Sequence, residues 1–413
     1  MKYTGLHFVS RELEKLKQQG LIRKFKTIAA INGPRVKITD DRSLMTGRRL
    51  LPAKDKWYLS FCTNDYLGLA QHPALRRAAI AAIKKFGVGS GASRLMAGTF
   101  TPHEELEQSL ARFKQTEDAL VFTSGYAANL GVITTLVNKN DFIFCDELNH
   151  ASLVDACRLT GAKLYIYHHR DVTHLEEGLK RFKENKFAVC HRPSKIFIVT
   201  DSIFSMDGDP APLREIVTLA QKYQAITIID EAHGTGILGN RGLGLAEHLG
   251  VEKQIDVITG TFSKALGGIG GFVTGSKKLI SYLRSKSRPF IFTTALPPAS
   301  CAAGLKALEI IQTQPVLRKK LWANTDYIKN KLMESGFDRR GSETPIIPIM
   351  IGDEKKTLKI ADYLWQKGFF VPAIRPPTVP YGQSRLRISV TAMHQRTHLD
   401  ALLKCLKQIH LDR

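Results

Sequence analysis

The chain reads as an α/β protein, with a mostly parallel sheet covered by helices on both faces, followed by a smaller α+β unit. Three observations predict it. From about residue 60 to residue 290, short apolar runs alternate with helix-like stretches, as in parallel strands buried on both faces. Leu296-Pro297-Pro298 then punctuates the chain ahead of a long helical stretch near residues 302–314, because proline opens helices but is excluded from their interiors. Beyond it, helix mixes with strands such as Arg385-Leu386-Arg387-Ile388-Ser389-Val390, an α+β pattern.

In chain order, residues 1–55 are a polar, basic arm in which Leu13, Leu16, Leu21 and Ile22 suggest a weakly amphipathic helix. The arm is expected to pack on the body or across a dimer rather than fold alone. Residues 56–295 form the large domain. Its strands are read at Ala119-Leu120-Val121-Phe122, Phe142-Ile143-Phe144, Leu164-Tyr165-Ile166-Tyr167, Ile196-Phe197-Ile198-Val199, Ile226-Thr227-Ile228-Ile229, Asp256-Val257-Ile258-Thr259-Gly260 and Gly271-Phe272-Val273-Thr274. Residues 296–413 form the small domain. Gly87-Val88-Gly89-Ser90-Gly91 superficially resembles a dinucleotide fingerprint, but it lacks the third glycine at the right spacing and follows no clear strand. Those glycines are read as room for a cofactor or substrate.

Composition narrows the class without deciding it. A chain of 413 residues with 43% hydrophobic and 24% charged residues has the make-up of an ordinary globular protein with a large core. No run of eighteen apolar residues predicts a transmembrane helix, and Met1-Lys2-Tyr3-Thr4-Gly5-Leu6-His7 lacks a secretory pattern. Six cysteines, at 62, 145, 157, 190, 301 and 405, show neither metal spacing nor a disulfide framework. A reduced, cytoplasmic protein with no metal and no membrane association is expected. The net charge of +22 sets up a field that steers anions. Its basic residues are spread along the chain without a nucleic-acid-binding signature, so no nucleic-acid partner is expected.

The chemistry sits in a few segments. In Thr261-Phe262-Ser263-Lys264-Ala265-Leu266-Gly267-Gly268 a lysine is hemmed in by small residues. Its amine is thus desolvated and its pKa lowered, as an amine that attacks a carbonyl requires. The hydroxyls and glycine amides around it, Thr261 included, suit a phosphate. Ile226-Thr227-Ile228-Ile229-Asp230-Glu231-Ala232-His233-Gly234-Thr235-Gly236 reads as a buried strand ending in acid and histidine. Ligands bind beyond the carboxyl ends of parallel strands. There Asp230 holds a ring nitrogen protonated and His233 donates to the ring's oxygen substituent. Together Lys264 and Asp230 point to pyridoxal 5'-phosphate.

Gly125-Tyr126-Ala127-Ala128-Asn129 follows a strand and opens a helix, placing amides and the helix dipole where a phosphate binds. Ser205 follows the strand ending at Thr200-Asp201, its hydroxyl available to the cofactor and Asp201 behind it. Arg387 offers the forked donor that a substrate carboxylate needs. By residue type alone the first and the last of these have an ordinary reading too: a β–α turn and a strand arginine facing water.

Taken in order, these segments resemble the α-oxoamine synthase family of fold-type I pyridoxal-phosphate enzymes. The resemblance runs from about residue 23 to residue 394. It also includes Asn64-Asp65-Tyr66-Leu67-Gly68-Leu69, Asn149-His150-Ala151-Ser152, Phe204-Ser205-Met206-Asp207-Gly208-Asp209 and Ala373-Ile374-Arg375-Pro376-Pro377-Thr378-Val379-Pro380. It implies a seven-stranded, mostly parallel sheet and a homodimer with shared active sites. It implies that His150 stacks on the cofactor ring, that Thr293 and Thr294 reach the phosphate of the other subunit, and that Arg23, Asn64, Thr378 and Arg387 contact substrate. The implied reaction is a decarboxylative condensation of an amino acid with an acyl thioester, in which Lys264 moves the α-proton. The segment at 373–380 points to members that join L-alanine to a pimeloyl thioester on acyl carrier protein or coenzyme A. A sister enzyme using glycine and a shorter acyl group is the alternative. Ser263, where such synthases often carry glycine, weighs slightly toward it. A regulator that keeps the fold but binds nucleic acid is an alternative of another class.

Overall fold

The amino-terminal unit carries helix α1 (His7–Gln18) and strands β1 (Thr27–Asn32), β2 (Arg35–Thr39) and β3 (Lys56–Ser60). β1 and β2 pair antiparallel about the Gly33-Pro34 turn, and β2 pairs antiparallel with β3. α1 is amphipathic, yet Phe8, Leu13 and Leu16 on it are exposed. The structure, a computed structural model, describes residues 6–18, 21–22, 25–39, 56–184 and 194–411. It divides the chain into two units, residues 1–59 and 60–413. The finer boundaries expected at 55/56 and 295/296 are kept as proposals.

In the second unit the seven apolar runs become one sheet: β4 (Asp118–Phe122), β5 (Phe142–Asp146), β6 (Lys163–Tyr167), β7 (Ile196–Asp201), β8 (Ile226–Asp230), β9 (Val257–Thr261) and β10 (Gly271–Gly275). The order is β4-β10-β9-β8-β7-β5-β6. The pairs among β5 to β9 are parallel, and only β10 runs antiparallel to its neighbours. Parallel neighbours need a crossover, and helices such as α2 (Ala151–Leu159) and α3 (Leu213–Tyr223) supply them.

Successive strand residues point to opposite faces. Phe144, Ile198 and Ile229 enter one buried cluster, while Ile143, Val199 and Ile228 enter another across the sheet. Each fully buried aliphatic side chain contributes ~1.5–3 kcal/mol through removal from water. Both faces are therefore apolar and sealed, leaving the strand ends for chemistry. The carboxyl ends of β5, β7, β8 and β9 share one edge of the sheet.

A smaller antiparallel sheet follows: β11 (Ile346–Gly352), β12 (Ala373–Ile374) and β13 (Ser384–Ser389), with β13 central. Leu386 and Ile388 face the apolar side of β13, which puts Arg385 and Arg387 together on the other. The segment after residue 60 is stitched to this sheet, since Ser389 donates its amide to the Phe61 carbonyl and Ala392 to that of Tyr66. Arg94 is held in a bidentate pair with Glu107 at 2.8 and 3.0 Å, anchoring the loop that follows Gly91.

His394 locks this junction and carries a pH prediction. Its Nδ1 accepts the Thr391 amide at 3.0 Å while Nε2 lies 3.1 Å from the Ser60 carbonyl. Only the neutral Nε2–H tautomer satisfies both. Its ring stacks on Phe61 at 4.2 Å. Burial pushes its pKa from 6.5 down to about 3. The unfolded chain takes up this proton near pH 6.5, whereas the folded one refuses it until about pH 3. Its contribution is therefore complete above pH 6.5 and lost as pH falls through that window, at up to ~1.4 kcal/mol per pH unit. The urea midpoint of the wild type should fall more steeply over that window than that of His394→Gln. Parallel curves would refute the assignment.

Candidate active site at the carboxyl edge of the sheet

Two carboxylates form the floor. Asp201 and Asp230 end neighbouring parallel strands in register, both buried. Asp230 Oδ2 accepts from Asn129 Nδ2 at 2.7 Å and Oδ1 from the Ala232 amide at 2.8 Å. Asn129, on helix α4 (Gly125–Leu136), is itself held by Ser152 and Thr259. Burial, reinforced by the neighbouring Asp230 charge, pushes the Asp201 carboxyl well above the usual carboxylate range. The pair is therefore a place where a second negative charge is resisted.

Lys264 stands on the turn after β9, half-buried. Desolvation lowers its pKa, against the pull of Asp230 and Asp201. The Arg387 charge lowers it further. The amine is thus biased toward its neutral, nucleophilic form. His150 caps α2: its amide donates to Asp201 Oδ2 at 2.6 Å, and its Nδ1 lies 2.7 Å from Ser152 Oγ. The residue is open to solvent while its ring edge is tethered, an aromatic plate at the rim of the cleft. Burial lowers its pKa, as does the Lys264 charge.

His233 is buried beside Tyr66, its Nδ1 2.8 Å from the phenol oxygen. Burial drives its pKa well below 6.5, helped by the charges of Lys264 and Arg387. It is a neutral imidazole, able to offer one N–H.

One end of the site suits a phosphate. Ser124 caps α4 through the Ala127 amide at 3.0 Å, so the amides of its first turn open toward the strand edge. Thr261 lies against this turn, since a Cβ on Gly125 would come within 3.2 Å of the Thr261 Cβ. Thr261 Oγ1 is 2.7 Å from Ser263 Oγ, and Ser263 is exposed. Tyr126 keeps its amide in this turn while its hydroxyl donates to Asp155 at 2.6 Å.

The other end suits a carboxylate. Arg387 is buried; Nε donates to the Ser205 carbonyl at 2.6 Å, Nη1 to Ser389 Oγ at 2.8 Å and Nη2 to Asn64 Oδ1 at 3.2 Å. Three of its five N–H groups are used in seating it, which leaves a donor on each terminal nitrogen. The reading of Arg387 as a water-facing strand residue is thereby excluded.

The structure thus gathers Asn64, Gly125, His150, Asp230, His233, Thr261, Lys264 and Arg387. Ser205 joins them through its carbonyl, which seats Arg387; a role for its hydroxyl toward the cofactor is kept as a proposal. Thr294 bridges Ser93 through its backbone, Thr293 borders a small cavity with Arg94 and His103, and Thr378 lies exposed on a turn. Arg23 lies outside the described residues. The glycines at 87, 89 and 91 face open space, as a Cβ there would meet nothing within 4 Å. Tyr66, Asn129 and Ser152 are partners that sequence reasoning left without side-chain roles. Asn129 was the most legible of them, an amide on a helix otherwise apolar on its buried side.

The donor set fits pyridoxal phosphate: an anionic floor, a desolvated amine, an aromatic plate and a phosphate-sized helix start. Residues 56–406 match the profile of aminotransferase class I and II. The chain is 46% identical to 8-amino-7-oxononanoate synthase of Thermoanaerobacter pseudethanolicus, over 98% of this chain and 97% of that protein. To the Petrotoga mobilis protein of the same name it is 44% identical, over 96% of each. Among solved structures, Sphingomonas wittichii serine palmitoyltransferase superposes with a TM-score of 0.87 at 30% identity, covering 100% of this chain and 98% of that one. The 8-amino-7-oxononanoate synthase of Francisella tularensis gives 0.73 at 26% identity, over 86% of this chain and 98% of that one. The chain belongs to the aminotransferase class I and II family, and within it to the 8-amino-7-oxononanoate synthases and their relatives.

Proposed function

We propose that the protein is an 8-amino-7-oxononanoate synthase, a pyridoxal-phosphate-dependent acyltransferase that condenses L-alanine with a pimeloyl thioester and releases carbon dioxide. Near-complete matches at 44–46% identity to proteins of that name support it. The observation that carries the chemistry is the joining of Asp230, Lys264 and Arg387 at one strand edge. Bound there, the cofactor supplies an electron sink for the carbanion formed at the amino acid's α-carbon.

The chain's own residues do the rest. Asp230, oriented by Asn129 and Ala232, faces the ring nitrogen and favours its protonated form. His150 covers one ring face, and His233 offers its N–H to the ring oxygen. Gly125, Tyr126 and Thr261 take the phosphate, with Ser263 beside them. Arg387 and Asn64 hold the alanine carboxylate. Lys264 Nζ, lowered in basicity, takes the α-proton and later returns one to the same carbon. Arg23 and Thr378 are assigned to substrate, and Thr293 and Thr294 to the phosphate of a second subunit in a homodimer. Acyl carrier protein or coenzyme A brings the acyl group, either being an anion suited to a chain of net charge +22.

The likeness to serine palmitoyltransferases means that fold alone does not select the amino acid. Alanine and glycine differ by a methyl group, worth ~1–3 kcal/mol. With pimeloyl-CoA, thiol release should be about tenfold or more faster per enzyme with alanine than with glycine or serine at equal subsaturating concentration. Preference for glycine or serine would transfer the protein to a sister activity.

A further inference from the structure

Outside the site, one ionic cluster stands in an unusual relation to it. His169 follows β6 and is half-buried. Its Nδ1 lies 3.0 Å from Asp146 Oδ1 and its Nε2 2.7 Å from Asp209 Oδ2, both carboxylates nearly fully buried. A ring bonded to a carboxylate at each nitrogen must carry both protons, unlike His394. Hydrogen bonds donated to the two carboxylates outweigh desolvation and hold its pKa up, at about 9. Arg170 stands 3.4 Å from Asp209, and Glu147 accepts the His169 amide at 2.9 Å.

What His169 grips is the hairpin of residues 202–210. Its ring meets Phe204 edge-on at 4.3 Å, and its Nε2 holds Asp209. These two residues are themselves joined, Phe204 donating its amide to the Asp209 carbonyl at 3.1 Å, beside the Ile203–Pro210 bridge. The tip between them does two things. The Ser205 carbonyl seats Arg387 Nε, and Asp207 pairs with buried Arg385. On the far side of the same turn, the Gly208 carbonyl accepts from Thr344. Asp146 closes the circuit at the end of β5, where it also takes the Leu148 and Arg170 amides. The base of the hairpin is bonded to the end of β8 through Ser202; its Asp209 arm is held to β5 through the His169 imidazolium, and its tip fixes the guanidinium opposite.

We infer that His169 is a positioning residue for the amino-acid carboxylate: by clamping Asp209 and Phe204 against Asp146, it sets the Ser205 carbonyl that orients Arg387. The inference rests on the reading of Arg387 as the carboxylate holder. Without the clamp, Asp209 keeps only the longer Arg170 contact and an Oδ1 that already lacks a protein partner. A buried carboxylate so deprived draws toward water and takes the hairpin with it.

The test is steady-state kinetics of the purified, cofactor-loaded enzyme with alanine and pimeloyl-CoA. The proteins compared are wild type, His169→Asn, His169→Gln and Arg387→Lys, with melting temperature and cofactor absorbance measured on each. An asparagine amide reaches only the Nδ1 position, so His169→Asn keeps the Asp146 bond and frees the hairpin. Glutamine reaches the Nε2 position and keeps the Asp209 bond. His169→Asn should raise the KM for alanine about tenfold with the thioester KM within about twofold, and His169→Gln should raise it no more than about threefold. An unchanged alanine KM in His169→Asn overturns the inference, as does an equal rise in both KM values with no advantage for glutamine. If His169→Asn does not fold, Asp209→Asn replaces it, with the same expected split between the two KM values. An alanine KM that Arg387→Lys leaves unchanged removes the carboxylate reading and this inference together. An alanine KM raised by Arg387→Lys but by no clamp variant removes this inference alone.

Discussion

Lys264→Ala should leave a folded protein whose turnover with alanine and pimeloyl-CoA falls by about 10⁴-fold or more. The amine is the group able to take the α-proton at the right place, and its surroundings are built to keep it neutral. Desolvation lowers its affinity for a proton, and the Arg387 charge adds to this against the pull of Asp230 and Asp201. Removing a half-buried side chain from a turn leaves the strands and their sealed faces intact, so the melting temperature should shift little. Borohydride treatment followed by peptide mapping should place the cofactor on the peptide containing residue 264 in the wild type and on no peptide in the variant. Full turnover by Lys264→Ala would end the mechanism proposed above.

Asp230→Asn should be the second-largest loss, about 10³-fold in kcat. Asp230 presents both oxygens to donors, Asn129 on one side and the Ala232 amide on the other. An asparagine keeps one oxygen and sets an NH₂ group against the remaining donor, so it loses the charge and strains the network at once. The neighbouring Asp201 carboxyl is held well above the usual range by burial and by Asp230 itself, so neutralising Asp230 relieves only part of that shift while burial still opposes a charge there. Asp201 does not take over the position. The double change Asp201→Asn, Asp230→Asn should therefore be only modestly worse than Asp230→Asn. The check is kcat with cofactor occupancy measured by absorbance. Wild-type kcat at full occupancy in Asp230→Asn would remove the aspartate from the chemistry.

Much of the fold was legible in local pattern. Seven apolar runs became seven strands because a strand sealed on both faces carries mostly apolar side chains and confines its charged groups to its ends. The acid and histidine after Ile229 and the lysine among small residues could be found for the same reason. They interrupt patterns that burial alone would have continued. Tyr66 and Ser152 were not legible, because their importance lies in which side chains they touch across long stretches of chain. The Tyr66 phenol meets His233 at 2.8 Å, 167 residues away. Ser205 was legible as a position, but its carbonyl bond to Arg387 was not, since sequence shows a hydroxyl and hides a carbonyl. His169 lay in an unremarked loop, its partners Asp146 and Asp209 being 23 and 40 residues further along or back in the chain.

The order of residues by itself determined the layered sheet and the strand ends that carry Asp230 and Lys264, because burial periodicity and local chemistry are enough to specify those. The family followed from the resemblance of whole motifs to known relatives. Tertiary structure decided protonation and orientation. His394 and His233 are neutral and His169 is charged because of the partners that long-range packing brings to each ring. Arg387, indistinguishable in sequence from a solvent-facing strand arginine, becomes a seated fork only where a carbonyl and an amide from two distant segments join a hydroxyl of its own strand around it.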